Sequence, residues 1–389
     1  MSYVSTNLNR FYVVLESSYG VVPAIGPDNA FRALSAELEL VQQYLERRDK
    51  SGSRTFPGVV SGGRRQARFE VEAYLMSGGA AGQAPGLGPF VEAACGGSPR
   101  VFAGGTAAAG CSTTQVVFIT AHGLAAGQAI GSGDELRFVT SVPNTTTVVV
   151  DPPFSAAPPA SSEITGTVCY PLAATLPSLS IFDYWEPSSA QQRILNGAAV
   201  DTLELEVQGD FHTVKFSGEG QDVIDSIAFA AGQGGLGAFP AEPDSRNYHG
   251  EPIAGHFGQL WLGATPSRFN TLLRASLKLE NGLELRKNEL GSAVPLGIAP
   301  GERRVTFDFE IFETDDAATR ALYAAARNRT PVVAFLQLGA VAGHLFGAYS
   351  KSLAPHAPRN DARERQLKWV FADSRAGGSA DDELWIAFG

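Results

Sequence analysis

Two stretches of this chain, about 240 residues apart, follow the same plan. The first, GGRRQARFEVEAY, begins at residue 62, and the second, GERRVTFDFEIFE, begins at residue 301. Each opens on glycine and a pair of arginines and runs into strict alternation. Ala67, Phe69, Val71 and Ala73 alternate with Arg68, Glu70 and Glu72; Val305, Phe307, Phe309 and Ile311 alternate with Thr306, Asp308 and Glu310. Period-two alternation puts one face of a strand in a core and the other in water. A chain that repeats such a strand with its flanks repeats a folding unit.

The flanks do repeat. Upstream of the first stretch, Ala36-Glu37-Leu38-Glu39-Leu40 alternates, and a Gly/Pro loop, GSRTFPGVVSGG, follows it. Upstream of the second, Leu277 and Leu279 alternate with Lys278 and Glu280, followed by GSAVPLGIAPGE. Helix signals come next. ProPheValGluAlaAlaCysGlyGly at 89–97 ends on glycine, and an alanine-rich run at 314–328 opens with a capping residue and two acids. Strands at 178–183 and 331–338 follow, then closing pairs: 203–207 with 213–217, where Leu203, Leu205 and Val207 alternate with Glu204 and Glu206, and 345–350 with 365–371. When the two stretches are laid together, their apolar faces align only if one residue is gapped before the arginine-led strand.

Two regions lie outside the repeat. Residues 98–177 hold short strand signals broken by Gly, Pro and Asn, which predicts a small all-β insertion. Residues 231–256 have no periodicity and are expected to be a linker. The expected organisation is a first domain over 1–97 and 178–230, an inserted domain over 98–177, the linker, and a second domain over 257–389. A length of 389 residues suits two or three domains, and 43 Gly with 23 Pro suit a turn-rich β chain.

Composition narrows the function classes. A net charge of −10 argues against a protein that grips nucleic acid through a basic face. No apolar leader is expected from MSYVSTNLNRFYVVLESSYG, and no run of 18 apolar residues predicts a membrane span. Cys95, Cys111 and Cys169 lack zinc spacing; they read either as free thiols or as a Cys111–Cys169 bridge with one thiol left over. Gly232, Gly234 and Gly237 fit a dinucleotide fingerprint by letter, but Pro240 and Pro243 stand where its helix would run. His249 and His256 have no companion ligands in sequence, so no metal and no cofactor is expected. The acids alternate along strands instead of converging on a cleft, so no catalytic residues and no enzyme activity are expected.

Three segments carry a resemblance. LESSYG near the start, GAAVDTLELEVQGDFHTVKFSGEG at 197–220, and LKLENGLELRKNELGSAVPLGIAPGERRVTFDFEIFETDDAATRALYAAA at 277–326 resemble the tail tube proteins of long-tailed bacteriophages. Together the matching parts cover most of both halves and omit 98–177. The resemblance implies a mainly β fold with short helices: two tandem tube-type β-sandwich domains and a small inserted all-β domain. It implies a structural siphovirus virion protein in which three chains close a pseudo-sixfold ring and rings stack into a tube for DNA ejection. Implied partners are further copies of the chain, the tape measure protein, the tail terminator and the tail-tip proteins, with transient passage of double-stranded DNA. Implied locations are the virion tail, with assembly in the bacterial host cytoplasm. Another virion β-module, such as a tail-tip, baseplate or decoration protein, is the alternative.

On this reading Glu70, Glu72, Asp308, Glu310, Glu37, Glu39, Glu204 and Glu206 are expected to line the lumen, or else to be solvated strand faces. Acids there would repel DNA phosphates, spaced at one charge per ~1.7 Å of duplex, over a Debye length of about 10 Å. Arg64, Arg65, Arg303 and Arg304 are expected to reach acids of a neighbouring subunit, or else to stand in solvent. The insertion at 98–177 is expected to decorate the outside of the tube.

Overall fold

Alternation becomes pairing. Strand β1 is Asn9–Leu15, β2 is Ser35–Gln42 and β3 is Arg65–Tyr74, followed by helix α1 at Gly88–Cys95. A computed structural model describes residues 3–43, 45, 46, 50, 52–56, 58–60, 63–207, 209–363 and 365–389. Pro57, Ser61 and Gly62 of the first Gly/Pro loop lie outside the described residues. Leu38, Phe69 and Val71 of β2 and β3 are buried on one side, where α1 packs its Phe90, Val91, Ala93 and Ala94. Each large side chain so buried contributes ~1.5–3 kcal/mol.

The remaining strands of the first half are β10 at Leu179–Trp185, β11 at Arg193–Val207, β12 at Thr213–Gly220 and β13 at Asp222–Asp225. Between α1 and β10 come β4 at Arg100–Phe102, β5 at Gln115–Val117, β6 at Ala129–Ser132, β7 at Glu135–Asn144, β8 at Thr147–Asp151 and β9 at Thr167–Tyr170. The second half contains β14 at Gly258–Gly263, β15 at Leu272–Glu280, β16 at Arg304–Phe312, α2 at Ala317–Asn328, β17 at Val332–Leu338, β18 at Phe346–Ala354, β19 at Arg359–Asp361, β20 at Lys368–Phe371 and β21 at Trp385–Phe388.

The two halves pair their strands alike, always antiparallel. In one sheet β1–β10–β11–β13 answers to β14–β17–β18–β21. In the other, β2–β3–β12–β11 answers to β15–β16–β20–β19. The second pair of sheets is joined edge to edge: Thr202–Val207 of β11 pairs with Ala275–Glu280 of β15, Leu205 standing opposite Leu277. The result is one run of eight strands, β2-β3-β12-β11-β15-β16-β20-β19.

One expected pairing differs. Residues 345–350 do not pair with 365–371; β18 pairs with β17 and with the C-terminal strand β21, and the hairpin equivalent to β11–β12 is β19–β20. The cause is proline. β11 serves both sheets as an unbroken 15-residue strand, bending at a register shift between Val200 and Thr202. Its counterpart is interrupted by Pro355 and Pro358, which have no N–H for a ladder. Helix α2 begins at Ala317, later than expected, because Asp316 stays extended and caps it by accepting from Thr319 N at 2.8 Å. α1 ends as expected, at Gly96 with φ 90°.

The range 98–177 is not one detached module. β5, β6, β7 and β8 form a four-stranded sheet around Val116, Phe118, Ile130, Val139, Val148 and Phe154. However, β9 pairs with β21 and β4 pairs with β9, so both extend a sheet of the second half. The face carrying Ala129, Leu136 and Phe138 packs on Phe335, Leu345, Tyr349 and Ala387. Arg137 sits in this contact with a fully buried side chain. It pairs with Glu135, donates to Gln337 Oε1 (3.0 Å), Gln259 Oε1 (3.2 Å) and Pro153 O (2.9 Å), and lies 5.3 Å from the Phe335 ring centre. A charge this deep persists because it is paired and hydrogen-bonded to several acceptors.

The 231–256 segment is irregular but packed. Leu236 and Phe239 lie against Tyr12, Phe182 and Tyr184, and Glu242 accepts from Arg10 Nε at 2.5 Å and Tyr12 Oη at 2.9 Å.

Candidate functional site: one sheet face, two open edges and an arm

The eight-stranded run has one face on the core and one turned away. All eight acids singled out in the sequence lie on the second face, because their apolar neighbours fill the first. They are not a uniform acidic wall. One row across four strands reads Glu72, Lys215, Glu204, Lys278, with alternating charge. Glu70 holds Lys215 at 2.6 Å, and Lys278 holds Glu280 at 2.7 Å. Glu39 stands opposite Arg68, and Glu310 opposite Arg274. Glu37 and Glu70 face each other, an unfavourable like-charge pair. Glu206 stands opposite Ser276 and Thr213. Asp308 accepts from Asp373 N at 2.7 Å, and burial raises its pKa despite that bond, so it also braces the 373–374 turn. Hydrogen bonding to Glu70 raises the Lys215 pKa and keeps it charged.

Three of the four arginines find their partners inside the chain. The loop from 281 to 303, between β15 and β16, reaches back across the first half. Arg64 donates to Lys287 O (3.1 Å) and Asn288 Oδ1 (3.0 Å) in that loop, Arg65 N donates to Ala293 O (2.9 Å), and Gln221 Nε2 donates to Pro295 O (2.9 Å). The Arg65 guanidinium forks Asp222 at 2.7–2.9 Å. Arg303 binds Glu383 Oε1 (2.5 Å), Asp381 and Ala173 O (3.0 Å). Within one chain the two halves are neighbours, so these three arginines already have partners on their own chain. Arg304 is exposed and stands opposite Glu280.

Both ends of the eight-stranded run are open. Among the described residues, β2 pairs only with β3 and β19 only with β20. The Leu38 carbonyl of β2 instead receives Arg193 Nη1 at 3.2 Å, and that arginine is anchored on buried Asp183.

Sequence reasoning missed Arg137, the β19 edge and Glu16. Glu16, within LESSYG, is buried and accepts four bonds, from Gly20 N (2.7 Å), Ser178 Oγ (2.7 Å), Ser180 Oγ (2.6 Å) and Gly197 N (2.8 Å). It ties the first loop to β10 and β11, which gives that motif a physical reason. The signal was there: an acid between an apolar strand and two serines. The Cys111–Cys169 bridge does not form. Cys111 Sγ accepts from Val117 N at 3.3 Å, Cys169 Sγ accepts from Ala129 N at 3.1 Å, and burial pushes the Cys169 thiol up to about 11.

No curated protein matches the chain at a significant level. A family model does, described as phage tail tube protein, and it matches residues 6–382, spanning both halves, the insertion and the arms. With nearly the whole chain matched, and with a mainly β fold that repeats one sheet plan twice, the chain belongs to the phage tail tube protein family.

Proposed function

We propose that three copies of this chain close a ring of pseudo-sixfold symmetry and that rings stack into the tail tube of a siphovirus, through which genomic DNA is ejected. Membership of the family makes the chain a structural protein of the virion tail that assembles with itself. The finer reading rests on one observation: two equivalent four-stranded sheets are already joined edge to edge by β11 and β15, and equivalent edges remain open at β2 and β19. An open sheet edge tends to pair, and closure removes it.

On this reading the two tube domains are residues 1–97 with 178–230, and residues 257–389. The sheet face bearing Glu37, Glu39, Glu70, Glu72, Glu204, Glu206, Asp308 and Glu310 lines the lumen. Its charges are mixed, with acids in excess, and so offer passing DNA no basic track to bind. Tape measure, terminator and tip proteins meet the finished tube, which assembles in the host cytoplasm. Electron microscopy of concentrated purified protein tests the proposal: hollow tubes with three chains per ring are expected, and persistent monomers, or rings of another count, refute it.

A further inference from the structure

The tube reading does not say which strand residues meet between chains. Resting on that reading, we infer that the open edge of β19 adds to β2 of a second copy of this chain in one register, Asn360 opposite Leu38 and Arg359 opposite Glu39.

The register is transferred from the joint inside the chain. There Leu205 stands opposite Leu277. The counterpart of Leu277 is Leu38, because Leu277 opposes Phe307 on the next strand and Leu38 opposes Phe69. The counterpart of Leu205 is Asn360. Leu205 leads through Val214 to Ala73, and Asn360 leads through Trp369 to Ile311. Ala73 and Ile311 each stand four residues beyond the paired phenylalanines.

Backbone direction agrees. Gln43 N donates to Arg64 O at 2.9 Å, which turns odd-numbered residues of β2 toward β3 and leaves Leu38 and Leu40 facing the open edge. Glu313 N donates to Leu367 O at 2.9 Å, which turns Lys368 and Val370 toward β19. Arg359 and Asp361 oppose those two, so Asn360 faces outward. Asn360 and Leu38 can then exchange both N–H···O=C bonds.

Charge selects the pairing. At the joint inside the chain, Glu204 stands opposite Lys278. At the equivalent place between chains the signs are exchanged, Arg359 against Glu39. Crossing the two would set Glu204 against Glu39 or Arg359 against Lys278, so each edge repels the wrong partner. Asp361 would meet Glu37, but Asp361 has Arg363 at 3.6 Å to offset it. Before assembly the edges are guarded. Arg193 occupies the Leu38 carbonyl, and Pro358, the counterpart of Leu203, offers no N–H. The partner is thus a second copy of this chain, meeting β2 by strand addition.

The full-length double variant E39C/R359C tests the register. The two positions form a non-hydrogen-bonded pair, where Cα atoms come within about 4.5 Å and a disulfide can close. Mild oxidation of assembled protein is expected to yield covalent species ending at three chains, and E37C/R359C, two residues out of register, is expected to yield none. E39R should prevent assembly and E39R/R359E should restore it. Tubes in which E37C/R359C cross-links instead, or in which neither pair does, overturn the register while leaving the tube reading intact. Wild-type protein that forms no tubes overturns both.

Discussion

Replacing Arg137 with methionine should loosen the insertion from the second half. The substitution keeps much of the apolar stem against Phe154, Trp261 and Phe335 but removes the guanidinium. Glu135 then stays in the contact without its counter-ion, although Ser155 N and Oγ still donate to it at 2.7 and 2.8 Å. Gln337 Oε1 and Pro153 O also lose a donor. Removing one partner of a buried pair costs ~3–5 kcal/mol. The bonds kept by Glu135 place the expected loss near the lower bound, about 3 kcal/mol. The double variant E135Q/R137M removes the stranded charge and should recover part of that loss. Two measurements follow it: urea unfolding of the monomer, and labelling of Cys169 by a thiol reagent under native conditions. Cys169 is 2% exposed and belongs to the same contact, whereas Cys95 lies in the first-half core and serves as a reference. Faster labelling of Cys169 alone is expected. An unfolding midpoint and a Cys169 labelling rate both equal to wild type would refute the idea that Arg137 fastens the insertion.

Burial holds His212 at a pKa of about 4, below its ordinary 6.5. Between those values the unfolded chain binds the proton and the folded chain does not, so stability falls as pH drops from 6.5 toward 4, by up to about 3 kcal/mol. Urea midpoints measured across that window should fall less steeply for His212→Leu than for wild type, and parallel curves would refute the assignment. The double change Arg64→Ala with Arg65→Ala should free the 281–303 loop; trypsin is then expected to cut after Arg286 or Lys287 several-fold faster, and unchanged cleavage would show that these arginines do not hold it.

Much of the sheet plan was legible because period-two burial is written in consecutive residues. Glu70, Glu72, Asp308 and Glu310 announce their face through Phe69, Val71, Phe307 and Phe309 beside them. What sequence could not supply was pairing across distance. Nothing local in WIAF at 385–388 says that it lies between β18 and β9, and nothing in a lone Arg137 marks it as buried, since arginine in a short strand normally points to water. The arginine pairs were found by repetition, but their partners within the chain were not, because composition cannot say whether an arm folds back on its own chain. The broken β18–β19 counterpart of β11 was readable from Pro355 and Pro358, and shows how two prolines turn one long strand into two.

The pairing of β9 with β21 also sets a schedule. Val168 meets Phe388, 220 positions further along the chain. At ribosomal rates of about 5–20 residues per second, roughly 10–40 s pass between the synthesis of the two. For that interval this edge of β9 has no permanent neighbour, and Phe138 lacks the Trp385 ring until the last few residues of the chain are made. A nascent chain is therefore least protected late in translation, and C-terminal truncations that remove 385–388 should deliver chains to the proteolytic machinery of the cell even though both arginine-led strands are complete.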